Sequence, residues 1–266
     1  METSKNYTLI TGATSGIGYE LAKLFAEDGH NLILIARSLD DLEKVGAELS
    51  RYGVDVITIS KDLFDRQAPL EIYDEIRLQD IAVNILVNDA GQGVYGEFIE
   101  TDLQKELDIV QLNISACIAL TKMFLRDMVL KGEGKILNLS SIAGKIPGPY
   151  QAVYHGTKAF VHFFSEAVRS EVKGSGVTIT SLLPGATDTD FFNKAEMQAS
   201  KIVQEGEMAD PAEVAKDGYD ALMAGKDMVI SGFKNKMQVA MGNITPDSAI
   251  TDKMGETQAP VDKKND

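Results

Sequence analysis

The sequence contains no tryptophan, one cysteine, three histidines and seven prolines in 266 residues. A single cysteine excludes an internal disulfide. Cys117 stands in a helical pattern beside Ile114 and Ile118, the setting of a small core residue rather than a nucleophile. His30, His155 and His162 form no ligand spacing with it or with one another, so no metal site is expected. Basic charge is also scarce: 26 Lys and Arg stand against 40 Asp and Glu, a net charge of -14. That excludes the basic footprint of a nucleic-acid binder, and any anionic ligand must meet a locally positive spot. No apolar run approaches the ~20 residues that cross a bilayer. The opening "METSKNYTLI" lacks the basic segment and apolar stretch of a signal peptide. A cytoplasmic protein with no membrane partner is the expectation.

What is present is alternation. Apolar, β-branched runs occur at 7–10, 32–36, 54–59, 85–87, 135–139, 177–183 and 228–230. Several are nearly continuous in apolarity, as strands covered on both faces are. Helical patterns fill the intervals at about 16–28, 39–52, 68–79, 102–130, 151–173 and 211–224. Thr101 or Asp102 is placed to cap one helix, and Asp210, followed by Pro211, another. The order predicts an α/β fold, a doubly wound and mostly parallel sheet of about seven strands with helices on both faces. With no linker and no repeat, residues 1–245 read as one domain. The stretch 188–207 breaks the alternation and reads as an irregular lid or a pair of short helices. Residues 246–266 are polar, without helical or strand period, and read as a flexible tail.

"TGATSGIG", residues 11–18, places Gly12, Gly16 and Gly18 where the first strand hands over to a helix. Such a turn lies at the carboxyl edge of the sheet, and its free N–H groups and helix dipole attract a phosphate. No Gly-Lys-Ser/Thr follows, which argues against a Walker loop. About 20 residues on, where NAD binders carry a ribose-binding carboxylate, the chain reads Ala36-Arg37-Ser38. An arginine there suits the 2′-phosphate of NADP(H). Asp40 and Asp41 lie close enough to keep NAD(H) as the second choice.

Tyr154 and Lys158 are four residues apart on one helical face. A tyrosine hydroxyl, with its ordinary pKa of about 10, becomes a usable acid–base group when an ammonium lowers that value. Ser140 and Ser141 follow a strand at the same sheet edge, where a serine hydroxyl could hold a carbonyl oxygen. Alone, the Tyr–Lys pair would be an ordinary surface pair.

In combination the chain resembles the short-chain dehydrogenase/reductase family in its compact one-domain form, over residues 5 to about 235. The family's pieces occur in its order: the glycine turn, Asp62-Leu63, Asn88-Asp89-Ala90-Gly91, Asn113, Ser141, Tyr154, Lys158, and Pro184-Gly185-Ala186-Thr187-Asp188-Thr189. The resemblance implies that Gly12, Thr14, Ser15, Gly16, Ile17 and Gly18 cradle a pyrophosphate, and that Arg37 and Ser38 take the 2′-phosphate. It further implies that Asp62 and Leu63 border the adenine, that Asn88, Ala90 and Gly91 line the cofactor, and that Pro184, Gly185, Thr187 and Thr189 hold the nicotinamide end. Tyr154 would protonate the carbonyl oxygen as hydride arrives, Ser141 would orient that oxygen, and Lys158 would bind ribose and lower the tyrosine pKa. Asn113 would hold a water that relays protons through Lys158. The family's "NNAG" reads "NDAG" here, which adds a charge near the sheet.

The resemblance also implies a homodimer or homotetramer through the helices at 102–130 and 151–173. Ser141, Ile142, Tyr150, Tyr154 and Phe191 are the expected substrate contacts. Gln92, Val94, Tyr95, Lys145, Ile146, Pro149 and Phe192 are further pocket candidates. Most are apolar or aromatic and suit a small hydrophobic carbonyl or alcohol substrate. The chain is also similar to members described as steroid- or ketoacyl-type reductases, a label that does not fix the substrate. Two other readings stand beside an NADP(H)-dependent carbonyl reductase. One is an NAD(H)-dependent alcohol dehydrogenase. The other is a dinucleotide-binding protein without turnover, which the presence of Ser141, Tyr154 and Lys158 disfavours.

Overall fold

Seven short runs of branched and apolar residues pair edge to edge, every neighbour parallel. The strands are β1 (Asn6–Thr11), β2 (Asn31–Ala36), β3 (Val56–Ser60), β4 (Ala82–Asn88), β5 (Gly134–Leu139), β6 (Val177–Leu183) and β7 (Met228–Ile230). Their order across the sheet is β3-β2-β1-β4-β5-β6-β7. The computed structural model describes residues 6–242 and 244–261.

The period of two along each strand sorts side chains onto two cores. Ile10, Leu32, Leu34, Val87 and Leu182 pack under α1 (Gly16–Glu27), α2 (Leu39–Leu49) and α9 (Pro211–Met223). Leu9, Ile33, Ile35, Leu86 and Ile179 pack under α3 (Ala68–Leu78) and the long helix of α4 (Leu103–Val110) and α5 (Ala116–Lys131). The end of α6 (Ala152–Glu171) closes that face with Val168. Asp102 and Asp210 cap α4 and α9, accepting from the backbone N–H of Lys105 and Ala212.

The long helix is not uniform. Between α4 and α5, residues Gln111–Ser115 form a π-helical turn, a defect common at functional sites. The whole span Leu103–Lys131 is also long and apolar enough to cross a membrane by length and composition, although charged and polar residues interrupt it. Leu112, Ala116, Leu120, Phe124 and Met128 nevertheless build its inner face into the core.

The irregular stretch 188–207 resolves into two short helices, α7 (Phe191–Lys194) and α8 (Lys201–Gln204). The expected flexible tail needs correction. After α10 (Phe233–Gly242), residues Asp247–Gln258 form a helix, α11. The strand of chain after it is tied to the lid: Lys201 N–H donates to Ala259 O at 3.0 Å, and Val261 N–H to Ala199 O at 2.8 Å. Residues 262–266 of that tail lie outside the described residues.

Candidate active site

A cleft of about 1220 Å³ runs along the carboxyl ends of the strands. It straddles β1 and β4, where the strand order reverses and where open α/β sheets bind ligands. Its floor begins at the turn after β1. Gly12 and Gly16 adopt φ of +71° and +58°, which only glycine takes without strain. A Cβ on Gly16 would lie 2.9 Å from Thr189, so the turn closely faces the loop after β6. Ser15 precedes α1 and makes no side-chain capping bond, leaving the first N–H groups of the helix to a ligand. Thr14, Ser15, Gly16 and Ile17 line this end. Gly18 does not. It is buried beneath the turn, where a Cβ would meet Gly12 O and Asp89 Oδ2 at 2.5 Å each, so its part is helix packing.

The loops after β2 and β3 form the outer end. Arg37 is exposed there with its guanidinium 5.5 Å over the Phe64 ring. Among the described residues it makes no ion pair. Ser38 lines the cleft but is also the cap of α2, accepting from Asp41 N–H at 3.3 Å. Asp62 and Leu63 line it too, with the Asp62 carboxylate accepting from Phe64 N–H at 3.1 Å. Lys61, which the sequence reading passed over, is a second cation here, paired with Glu71 at 2.5 Å.

Ala90 and Gly91 carry the loop after β4 along the floor, anchored by Thr11 Oγ1, which accepts from Asp89 and Ala90 N–H at 3.1 Å each. Asn88 does not reach the cleft. Its amide donates to Asn138 at 2.8 Å and Thr121 at 3.0 Å in the interior, cross-linking β4, β5 and α5. Asn113 is likewise a strut. The π turn directs its amide to Gln92 O and Thr157 Oγ1 at 2.9 Å each, and its oxygen accepts from Gln92 N–H at 3.0 Å. Asp89 is the departure with consequences. Its carboxyl lies against Gly12 and Gly18, and one oxygen has no partner. Burial pushes its pKa up to about 7, against the pull of Lys158 and the Gly18 N–H.

Ser141, Tyr154 and Lys158 come together in the middle. Ser141 Oγ donates to Pro184 O at 3.2 Å and accepts from Ala143 N–H at 3.1 Å, with its hydroxyl beside the Tyr154 phenol. Ser140 supports the strand end instead, donating to Lys158 O at 2.8 Å. Lys158 Nζ lies 5.8 Å from the Tyr154 ring centroid and donates to Leu139 O at 2.8 Å. The expectation of a depressed tyrosine pKa is not met. Burial drives Tyr154 upward, opposed by the nearby Ser141 hydroxyl. Burial acts on the lysine as well, bringing it down to about 8 while Asp89 holds it up.

Beyond the tyrosine the walls turn apolar. Ile142, Ile146, Phe191 and Phe192 line the cleft, and the Phe191 ring packs 5.0 Å from that of Tyr154. Pro184, Gly185, Thr187 and Thr189 form the facing edge, and Gln92 lies between. Tyr150 is turned away. It takes φ of +64°, packs its ring 5.9 Å from Tyr95, and its carbonyl accepts from Gly96 N–H. Val94, Tyr95, Lys145 and Pro149 also stay outside the cleft. In their place come Met197, Ile202 and Met208 near the lid, Phe233 from α10, and Met254 and Gln258 from α11. Gln151 and His155, four apart and flanking Tyr154, were the one cue to this wall in the sequence.

A family model described as short chain dehydrogenase matches residues 6–200. The very-long-chain 3-oxoacyl-CoA reductase of Anas platyrhynchos is 37% identical over 185 residues, 67% of this chain and 58% of that protein. The chain thus spans well under two thirds of that relative's length. A probable NADP-dependent dehydrogenase of Haemophilus influenzae is 32% identical over 213 residues, 78% of this chain and 83% of that one. Among solved structures, a short-chain dehydrogenase from Sphingobium yanoikuyae in complex with NADPH superposes with a TM-score of 0.81 at 29% identity. It covers 90% of this chain and 93% of its own.

Proposed function

The chain belongs to the short-chain dehydrogenase family, and on that premise we propose that it is an NADP(H)-dependent oxidoreductase interconverting a carbonyl and an alcohol, with Tyr154 as the acid–base group. The observation that carries this reading is the meeting of Ser141, Tyr154 and Lys158, with Lys158 Nζ 5.8 Å from the Tyr154 ring centroid, where the glycine-lined half of the cleft meets its apolar half. The residues present fit a dinucleotide. The turn at Gly12 and Gly16 lies too close to Ala90 and Thr189 for side chains and lines the cleft with bare backbone, the start of α1 offers free N–H groups, and Arg37 stands at the far end. When bound, the nicotinamide supplies the hydride chemistry.

The chain's own residues supply position and protons. In the reductive direction Tyr154 must arrive protonated, and burial keeps it so at neutral pH. Its hydroxyl gives its proton to the carbonyl oxygen, which the Ser141 hydroxyl holds in place by a second hydrogen bond. Lys158 bears the ammonium nearest the tyrosine and orients the ribose hydroxyls. Asn113 spends its side chain on Gln92 and Thr157, which holds the loop after β4 against α6 and leaves that side chain no free group for a water. Phe191 and the residues around it exclude water once substrate is in place. Arg37 argues for NADP(H) over NAD(H), and the named activity of the Haemophilus relative points the same way. The substrate is an apolar carbonyl compound, for which the 3-oxoacyl-CoA reductases are one precedent. A homo-oligomer built on the outer faces of α4, α5 and α6 belongs to the same proposal.

The test is cofactor consumption in the near ultraviolet, with NADPH and NADH offered separately against aldehydes, ketones, ketosteroids and 3-oxoacyl thioesters. Turnover favouring NADPH is expected. Preference for NADH overturns the assignment of Arg37, and no turnover across the panel removes the support for catalysis.

A further inference from the structure

Beyond Tyr154 the cleft wall holds a buried polar cluster. Gln151, at the start of α6, and His155, one turn on, meet Gln258 at the end of α11. The three are 5%, 5% and 3% exposed and all line the cleft. Their hydrogen bonds fix every orientation. His155 Nδ1 lies 2.6 Å from Ile146 O. A carbonyl only accepts, so Nδ1 carries the proton and Nε2 is left as an acceptor. Gln258 Nε2, 3.0 Å away, donates to it. The same amide nitrogen turns its other N–H toward Gln151 Oε1 at 3.4 Å. Flipping Gln151 would set donor against donor. Its own amide nitrogen therefore points away from the cluster, buried and without a partner. It lies beside Gly93, where an added Cβ would stand 3.1 Å from it and 2.8 Å from the Phe191 ring. That ring is the one packed on Tyr154.

A buried donor with nothing to bind is unfavourable, and such groups in native proteins call for an explanation. Here the donor is held in one direction by a chain of contacts from Ile146 through His155 and Gln258. We propose that Gln151 Nε2 binds a second oxygen of the substrate, distinct from the carbonyl at Tyr154, with Gln258 as its positioning residue. The substrate class is then a carbonyl compound carrying a nearby ester, thioester or amide oxygen on an otherwise apolar body. This deepens the reading of the protein as a carbonyl reductase and rests on it.

The experiment is calorimetric binding to the full chain saturated with NADP+, where no turnover occurs. One ligand is a long-chain 3-oxo methyl ester. The other is the ketone of equal length in which alkyl replaces the ester. Wild type is expected to bind the oxo-ester about tenfold more tightly, the order of one hydrogen bond at a buried site. Gln151→Met brings the two affinities together. Gln151→Glu, which keeps the size and the acceptor facing Gln258 but loses the donor, does the same if the methionine variant fails to fold. Gln258→Met narrows the ratio while NADP+ affinity stays put. Equal affinities in wild type, a preference that survives Gln151→Met and Gln151→Glu, or no measurable binding of either ligand overturns the proposal. A binding preference without any turnover with NADPH keeps the subsite and removes the reductase.

Discussion

At Lys158 and Asp89, two buried charges act on each other across the floor of the site. The lysine is held near 8 by burial, and ionised Asp89 is the influence that keeps it from falling further. A rate that needs the ammonium is fully present below that value and is lost as pH rises through it. Asp89→Asn removes the supporting charge, so the alkaline limb of kcat/KM moves to lower pH. An unmoved limb means that the two groups do not communicate. At Arg37 the expectation concerns affinity. Arg37→Ala weakens NADPH binding about tenfold, since an exposed charge-assisted contact is worth roughly 1.4 kcal/mol. NADH binding changes little, and fluorescence titration of both cofactors checks the difference. The residues named for these tasks were legible because their types carry the chemistry: an arginine after β2, a tyrosine and a lysine one turn apart. Tyr150 was not, because an aromatic near Tyr154 in sequence looks like a pocket residue until its positive φ turns it toward Tyr95.

At the level of elements, α1 depends on Gly18. An added Cβ would stand 2.5 Å from Gly12 O, a backbone atom that cannot swing aside. Gly18→Ala is expected to cost about 1–3 kcal/mol, the usual penalty of overpacking, read as a lower midpoint in urea unfolding. No loss of midpoint would mean that the turn and helix separate freely. Strands and long helices were readable because two-sided burial and a 3.6-residue stripe leave strong patterns. The π turn was not, since Gln111–Ser115 carries no local signal for an extra residue per turn. Neither was α11. In "DSAITDKMGETQ" only Gln258 is fully buried, and it docks through polar bonds to His155 and Tyr95. An apolar-periodicity search does not see a helix held in that way.

The molecule as a whole is strongly acidic, yet the cleft gathers Arg37, Lys61 and Lys158 where an anionic dinucleotide would lie. The same lining carries Asp41, Asp62, Asp89, Asp190, Glu205 and Glu207, so the positive spots that the composition required are single side chains and not a reversal of the cleft's charge. The outer faces of the long helices are a second whole-molecule feature. Phe163 is 63% exposed and Leu107 52%, with Leu103, Ile118 and Phe160 nearby in the same elements. Apolar area of this kind on helices suits the contact between copies proposed above. Phe163→Glu is expected to shift the proposed oligomer toward smaller species in light scattering with far-ultraviolet circular dichroism unchanged. Wild type running as a monomer at working concentration would contradict the assembly. The doubly wound parallel sheet and the site's place at the carboxyl ends of its strands followed from the alternation of elements. Pocket walls drawn from α10 and α11 did not, because contacts across some hundred residues of chain leave no local trace.

The most direct test of the account is the NADPH oxidation rate of Tyr154→Phe against wild type, with a carbonyl substrate found in the panel. The variant keeps the ring packed on Phe191 and loses only the proton donor. A fall of about 10²–10⁴-fold in kcat, the range for a positioned general acid, with NADPH affinity retained, is the expected result. A rate within a few-fold of wild type would contradict Tyr154 as the acid, and with it the mechanism built on the Ser141–Tyr154 pair.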